Sequence, residues 1–186
     1  MKIKGSGNYV DATGAAHEVK GMGIILDDTA LQSLKVSGKL EFEKISCDDL
    51  NVSGKCVGGS ISAKTFSFKG KIEVDTITAQ EGIINSRSGS IEMIKCSKLK
   101  IFNNANEDAM AFITRIFGEP NAKGDNNSRL TIKEIDSEKI ELENCQVEAV
   151  HCHDIQIGKN CLIAKLLVAG ECIVDEDSTI GEIIRE

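Results

Sequence analysis

Apolar and polar residues alternate in short stretches of this chain, and the alternation restarts at a nearly constant interval. Leu50-Asn51-Val52 and Ile61-Ser62-Ala63 are typical of these stretches. A period of two places successive side chains on opposite faces of an extended chain, so each stretch predicts a short strand with one buried face. No helical pattern separates successive strands. Parallel pairing must therefore come from the stacking of one coil of the chain on the next.

A motif of an apolar residue, a lysine or serine, and a glycine recurs at this interval. Its five copies are Ile3-Lys4-Gly5, Val19-Lys20-Gly21, Val36-Ser37-Gly38, Val52-Ser53-Gly54 and Phe68-Lys69-Gly70, and they are almost evenly spaced. A fixed period of this length indicates a stacked-repeat architecture, and glycine suits a corner where a Cβ atom would obstruct the chain. The pattern predicts an all-β, parallel β-helix (a solenoid) with three short strands in each coil of about 16 residues.

The apolar residues align in columns, with one member of each column in every coil. The central column contains Ile45, Ile61, Ile77, Ile94, Ile135, Val150, Leu166 and Ile183. A second column, five residues later with one residue of slack, contains Leu50, Phe66, Ile83, Leu99, Ile140 and Ile155. Each column is expected to point inward as a ladder of similar side chains, with a rise of about 4.8 Å per coil. Division of the chain by this repeat gives roughly ten coils.

The column spacing is interrupted once, between Ile94 and Ile135, which lie much further apart than one coil. The columns on either side place the extra residues at the corner that other coils fill with glycine, which predicts a flap over residues 103–129. Within it, Glu107 to Phe117 shows helical spacing of apolar residues and predicts one short amphipathic helix. That helix either packs on the rod or contacts a partner protein, a neighbouring subunit or a membrane surface. The candidate contact residues are Phe112, Ile113, Ile116 and Phe117.

Composition restricts the core and the class of partner. Hydrophobic residues make up 41% of the 186 residues while aromatics make up 4%, so the core must be built from Ile, Leu, Val, Ala and Cys. The net charge of −7 disfavours a nucleic-acid surface. Residues 1–100 carry a net charge of +2 and residues 101–186 a net charge of −9. This asymmetry is either a solvated acidic surface or a pair of oppositely charged ends that assist assembly.

The chain shows no sequence signal for export or for membrane insertion. No apolar run follows the basic start, and no apolar stretch approaches the length of about 18 residues that a membrane span requires. The seven cysteines form no C-x-x-C pair. An odd number of cysteines without such a pair favours reduced thiols in a cytoplasmic protein.

Six of the cysteines fall in inward columns, where buried cysteine behaves as a small hydrophobic residue. Cys47, Cys96 and Cys152 align with Ala63 and Ala79, and Cys56, Cys145 and Cys161 share a second column. Cys145 and Cys161 lie on adjacent coils, close enough for a disulfide by Cα distance alone. They are nevertheless expected to be free thiols in a reducing compartment.

One short segment, His151-Cys152-His153-Asp154, has the composition of a metal site. If Cys152 points inward, then His151 and His153 point outward, about 7 Å apart along one strand. Two histidines supply half of a zinc coordination shell, and no third ligand is evident. The acidic run Asp175-Glu176-Asp177 is expected to form a solvated turn. Since the motifs of phosphate-binding loops, serine hydrolases and zinc proteases are also absent, no catalytic, metal or cofactor site is predicted.

With its coils aligned, the chain resembles the bactofilins, polymer-forming cytoskeletal proteins of bacteria. The resemblance is carried by the Leu-x-Val-x-Gly-Lys coils between Leu34 and Gly70 and by the runs Arg129 to Cys145 and Ile155 to Cys161. It covers about residues 3–184, and the pattern of these runs, with an insertion before them, is similar to the variety of bactofilin found in Gram-positive bacteria. The resemblance implies a right-handed, roughly triangular β-helix that stacks end to end into filaments without a nucleotide cofactor. The long tails of better-known bactofilins are missing, so membrane attachment through an N-terminal tail is not expected.

The whole chain, residues 1–186, is therefore expected to be one β-helix domain of a structural, self-assembling protein, cytoplasmic or associated with a membrane. A β-helix is open at both ends, where it presents unpaired backbone groups and apolar columns, and solenoids that stay monomeric usually carry polar caps. No capping helix is predicted beyond either end. The predicted assembly residues are Ile3, Ile180, Ile183 and Ile184.

Two alternatives remain open at this point. The first is an adaptor rod whose 103–129 flap binds a membrane or an envelope protein. The second is a trimeric left-handed β-helix acyltransferase with His151 or His153 as general base. Only Ile157-Gly158 and Ile180-Gly181 hint at the hexapeptide turns of that second class.

Overall fold

The computed structural model describes residues 2–4, 7–9, 16–25, 29–103 and 129–186, and all regular structure among them is β-strand. The strands are β1 (Lys2–Lys4), β2 (Gly7–Tyr9), β3 (Ala16–Ile25), β4 (Thr29–Phe102), β5 (Leu130–Leu142), β6 (Cys145–Ile157), β7 (Leu162–Val168), β8 (Cys172–Val174) and β9 (Thr179–Arg185). They pair in parallel in the order β1-β3-β4-β5-β6-β7-β9, with β2 on β3 and β8 on β6. The predicted parallel solenoid is confirmed.

Each strand pairs with the stretch of chain one coil further along, as stacked coils require. Gly21 pairs with Gly38, Leu130 with Cys145, and Val147 with Ile163. The solenoid has about eight turns, where division of the whole chain predicted roughly ten.

Each coil has three short sides, which the burial pattern of β5 shows most clearly. Two inward residues flank one outward residue on each side, and two exposed residues separate one side from the next. The inward pairs are Leu130 and Ile132 on the first side, Ile135 and Ser137 on the second, and Ile140 and Leu142 on the third. β4 runs unbroken for 74 residues because the chain stays extended through the corners of successive coils.

The strand register confirms the central column. Ile94 pairs with Ile135, Ile135 with Val150, Val150 with Leu166, and Leu166 with Ile183. Every member from Ile45 to Leu166 is at most 2% exposed. The hydrophobic core is therefore a stack of these ladders along the axis of the rod.

The assignment of Ile83 to an inward column was wrong. Ile83 points outward and is 45% exposed, while Gly82 and Ile84 face the interior. A Cβ atom at Gly82 would lie 2.1 Å from Cζ of Phe66, so the phenyl ring on the coil below fills the space that a larger side chain needs. The column therefore continues through Gly82, one residue earlier than the apolar pattern indicated.

Glycines form one corner of the first coils, as predicted. Gly38, Gly54 and Gly70 have φ angles of 134°, 131° and 122°, which side-chain-bearing residues rarely adopt. Later coils use asparagine at this corner: Asn144 and Asn160 have φ angles of 54° and 56°. The Asn160 Nδ2 donates a hydrogen bond of 3.0 Å to the Asn144 Oδ1, which links the two coils.

The insertion opens at this same corner. Ile101 pairs with Leu142 and Gly89 pairs with Leu130, so the coil that is interrupted after Asn103 resumes at Arg129 in register. The helix predicted for Glu107 to Phe117 lies outside the described residues, as do the contact residues Phe112, Ile113, Ile116 and Phe117.

Replacement of Asn160 by alanine is expected to lower the free energy of unfolding by about 1–2 kcal/mol, because alanine tolerates the left-handed conformation poorly and forms no amide bridge. Asn160→Gly should cost less, since glycine keeps the backbone conformation and loses only the bridge. Urea unfolding followed by circular dichroism measures both changes. An equal loss in the two variants would show that the left-handed conformation of Asn160 does not determine the cost. Asn51→Ala, at an exposed position on a side of the coil, is the control.

Candidate functional site

The last coil of the solenoid has strands with a partner on one side only. β9 stands at the end of the strand order and pairs with β7, while β8 pairs with β6 alone. Within the described chain, no further coil continues the sheet beyond these strands. Their outward-facing peptide groups form an open sheet edge, which is a template for pairing with another strand.

The inward columns also end uncovered at this coil. Ile183 continues the central column from the fully buried Leu166, but it is 49% exposed. Val174 continues from Ile157 and is 41% exposed, against 1% for Ile157. Both side chains occupy core positions and lack only the coil that would cover them. We call this surface, made of Cys172, Val174, Ile180 and Ile183, the C-terminal end face.

The structure separates the four residues that the sequence predicted for assembly. Ile180 and Ile183 lie in inward columns of the end face, and Ile180 packs against the core while it remains partly exposed. Ile184 pairs with Leu167 and belongs to an outward column, so it faces the side of the rod. Ile3 pairs with Val19 through its backbone in β1. The sequence therefore placed Ile184 on the wrong surface.

Sequence reasoning missed Cys172 and Val174 at the end face. The column of Cys172 was followed only to Ile155, because the corner before Cys172 is one position longer than the preceding corner of the same coil. The strand register shows this difference. Cys152 pairs with Val168 and Ile155 pairs with Cys172, so three positions on one coil correspond to four positions on the next. An apolar pair at positions 172 and 174 was the available signal.

A short acidic turn at residues 175–178 closes the last coil. The amide of Asp175 donates to the carbonyl of Ile157 at 2.8 Å, and the Asp175 side chain accepts from the amide of Asp177 at 3.0 Å. Ser178 donates through Oγ to the carbonyl of Gly158 at 2.6 Å. Glu176 and Asp177 are exposed, so the predicted solvated turn is confirmed.

Apolar side chains also reach the outer surface near this end. Leu162 and Ile173 occupy outward positions and are exposed, and with Val174 and Ile183 they lie on the last coils. Of the exposed large hydrophobic residues in the described chain, Ile83 alone lies elsewhere. The apolar surface of the described chain is thus concentrated at the C-terminal end of the rod.

The two histidines project from the outer surface, as the sequence predicted. His151 Nδ1 lies 3.9 Å from Oδ1 of Asp136, and His151 Nε2 lies 3.5 Å from Oε2 of Glu186. His151 and His153, together with neighbouring residues, line a shallow groove of about 340 Å³. Within the described ranges, no three histidine, cysteine or carboxylate side chains are placed to hold one metal ion.

His153 makes a local structural contact. Its Nδ1 lies 3.0 Å from Oδ1 of Asp154, which also accepts a hydrogen bond of 2.9 Å from the amide of Glu171. The Glu171 amide and His153 hold the pKa of Asp154 below its usual value. Asp154 therefore stabilises the longer corner before β8.

A second groove, of about 690 Å³, runs along the third side of the rod. Its charged and polar side chains bond to one another across adjacent coils: Thr65 donates to Asp49 at 2.6 Å, Lys98 pairs with Glu81 at 3.0 Å, and Lys100 pairs with Glu141. These contacts are exposed, so each stabilises the stack by less than about 1 kcal/mol. They form ladders along the axis and do not converge on one point.

Most of the cysteines are buried thiols, as predicted. Cys47, Cys56, Cys96, Cys145, Cys152 and Cys161 are buried, and Cys172 at the end face is partly exposed. Burial raises the pKa of Cys47 to about 11 and those of Cys56 and Cys152 to about 12. These three thiols therefore stay protonated at neutral pH and act as core packing.

Comparisons with known proteins add no relative. No protein-family model, no curated protein and no solved structure matches the chain. Among the described residues, no helix is long and apolar enough to cross a membrane. The candidate site that the geometry supports best is therefore the C-terminal end face, identified by its own exposed core residues.

Proposed function

We propose that this protein is a non-enzymatic structural protein that self-assembles end to end into filaments. The observation that carries the proposal is the exposure of Ile183 and Val174, two members of otherwise buried core columns, at the end of an open sheet. A second rod stacked on this face would continue the columns and pair the free strand edge. The contact between the two rods is then stabilised as a contact between coils is, by apolar burial and by backbone hydrogen bonds.

The strength of such a joint follows from the contacts within the rod. Burial of apolar surface contributes about 25 cal/mol per Å², and Val174, Ile180 and Ile183 present that surface together. Polar caps are the device that keeps many solenoids monomeric. The last coil ends in β9, which places Ile180 and Ile183 in inward columns and Arg185 in the column of Val168. β1 stands at the opposite end of the strand order, where it pairs with β3 alone.

The finer features of the proposal come from the resemblance to bactofilins. They are a right-handed coil, filaments that form without a nucleotide cofactor, a cytoplasmic or membrane-associated location, and a role as a scaffold in cell-shape or envelope organisation. The parallel stacking, in which each strand pairs with the stretch of chain one coil further along, supports this assignment. The partners are other copies of the chain, and not nucleic acid. The alternative function is an adaptor rod whose 103–129 flap binds a membrane surface or an envelope protein.

Replacement of Ile183 by lysine is expected to weaken assembly, raising the protein concentration at half-assembly at least about tenfold, which corresponds to about 1.4 kcal/mol. The lysine ammonium would have to be desolvated in the joint. Sedimentation velocity over a concentration series measures the change. Thr179→Lys is the matched control, since it adds the same charge to an exposed outward position of the same strand. Equal effects of the two substitutions, or none from Ile183→Lys, would contradict stacking through this face.

A further inference from the structure

Cys145 and Cys161 form a thiol pair inside the rod. They follow each other in one inward column on adjacent coils, and their Sγ atoms are 3.9 Å apart. Cys145 is 0% exposed and Cys161 is 3% exposed. The spacing of neighbouring strands puts their Cα atoms about 4.8 Å apart, inside the range of disulfide-bonded cysteines. The two sulfurs are therefore neighbours whose Cα separation suits a disulfide.

Other inward cysteines have different neighbours in their columns. Cys96 faces Ser137, with 3.9 Å between the Cys96 Sγ and the Ser137 Oγ. Cys56 lies between Leu40 and Ile72, which are aliphatic core residues. At both cysteines burial is the largest influence on the thiol, and it raises the pKa of each. They are suitable internal controls for the behaviour of an isolated buried thiol in this core.

The surroundings of Cys161 favour its thiolate. A hydrogen bond from Cys145 lowers the pKa of Cys161, while the same contact raises the pKa of Cys145 well above its ordinary value. The Ser178 Oγ lies directly beside this cysteine, where it accepts a hydrogen bond of 2.8 Å from the Cys161 amide. Of the two thiols, Cys161 therefore loses its proton more readily and is the nucleophile, while Cys145 remains protonated.

The pair lies close to the end of the rod. Ser178 covers Cys161 from the last coil, and the amide of Thr179 donates to the carbonyl of Cys161 at 2.9 Å. The last coil is bonded on one side only, so it opens at a smaller free-energy cost than the coils between two neighbours. A small oxidant reaches Cys161 through this opening.

We propose that Cys145 and Cys161 are a redox-active dithiol, which a hydroperoxide oxidises to a disulfide that links two adjacent coils. The Cys161 thiolate attacks one oxygen of hydrogen peroxide, an S–O bond forms, the O–O bond breaks, and hydroxide leaves as water after protonation. The Cys145 sulfur then attacks the sulfenic sulfur of Cys161, the S–S bond forms, and the hydroxyl leaves as water with the Cys145 proton. Two thiols thus reduce one peroxide to two waters.

The test uses the full reduced chain and hydrogen peroxide, with free thiols alkylated at timed intervals before mass spectrometry. The expected product has lost two hydrogens, about 2 Da, and yields a linked peptide pair that contains Cys145 and Cys161. The rate should rise with pH as Cys161 loses its proton. Cys145 and Cys161 should disappear at least about tenfold faster than Cys56 and Cys96 in the same sample.

Two variants resolve the order of the steps. Cys161→Ser should abolish the disulfide, while Cys145→Ser should leave a sulfenic acid at Cys161 that a 1,3-dione reagent captures. Cys96→Ser is the matched control and should form the disulfide at the wild-type rate. Circular dichroism verifies that each variant is folded, and the wild-type pH profile tests the proposal without any substitution. Oxidation of Cys172 while Cys145 and Cys161 remain thiols would overturn it, as would a rate that does not rise with pH.

Discussion

Replacement of Ile77 by aspartate is expected to lower the free energy of unfolding by about 4 kcal/mol or more. Ile77 is 0% exposed in the central column, between Ile61 on one coil and Ile94 on the next. A carboxylate at this position would be surrounded by aliphatic side chains and would have no hydrogen-bond donor. Because each coil is stabilised by its two neighbours, the substitution opens the stack on both sides.

The adjacent residue provides the control for this prediction. Thr78 is exposed, and Thr78→Asp places the same carboxylate one residue further along the same strand. It should change the free energy of unfolding by less than about 0.5 kcal/mol. Urea denaturation measures both variants, and hydrogen exchange should show the largest loss of protection in the coils that contain Ile61 and Ile94. Similar losses from both substitutions would contradict the inward and outward alternation.

Replacement of Gly54 by alanine is the second large expected effect, with a loss of about 3 kcal/mol or more. Gly54 has a φ of 131°, and a Cβ atom there would lie 1.9 Å from the carbonyl oxygen of Gly38 on the coil below. Backbone atoms make this contact, so rotation of a side chain cannot relieve it. The corner must shift, and the register of two coils shifts with it.

Gly158→Ala is the matched control for the corner. The nearest atom to a Cβ at Gly158 would be the carbonyl oxygen of Leu142 at 3.3 Å, a tight contact that a small movement relieves. The expected loss is below about 1.5 kcal/mol. Thermal or urea unfolding compares the two variants directly. If both substitutions lowered the free energy of unfolding equally, the conformation of position 54 would not be the reason for its glycine.

The sequence predicted the architecture because the solenoid repeats one local rule. Inward residues such as Ile45 and Ile135 must be apolar at every coil, and the corner at Gly38, Gly54 and Gly70 must turn through a conformation that favours glycine. Because both constraints recur in successive coils, the pattern of residues in the sequence is enough to identify them. The register across the insertion followed from the same columns.

The errors came where side chains on neighbouring coils compensate for each other. Phe66 fills the space over Gly82, which moves the inward position away from Ile83. Asn144 and Asn160 replace the corner glycine, because asparagine also adopts the left-handed conformation and forms an amide ladder. Such substitutions preserve the shape of the coil while they change the residue pattern.

The candidate site was predicted in part. Ile180 and Ile183 were identified because their columns continue to the end of the rod, whereas Ile184 was included through its sequence position and faces the side. Val174 was missed because the longer corner before Cys172 shifts the spacing by one position. The contact between the Cys145 and Cys161 sulfurs also needed the structure, since column position gives a Cα separation and not the direction of the side chains.

Fibre diffraction from aligned filaments of the purified protein tests the proposed end-to-end assembly most directly. Strands in a β-helix run across the rod axis, so end-to-end stacking predicts a strong reflection at about 4.8 Å on the meridian, parallel to the filament axis. Electron microscopy of the same sample should show unbranched filaments, and Ile183→Lys should reduce their length and number. A protein that stays monomeric at high concentration, or filaments with the reflection at about 4.8 Å on the equator, would contradict assembly through the C-terminal end face.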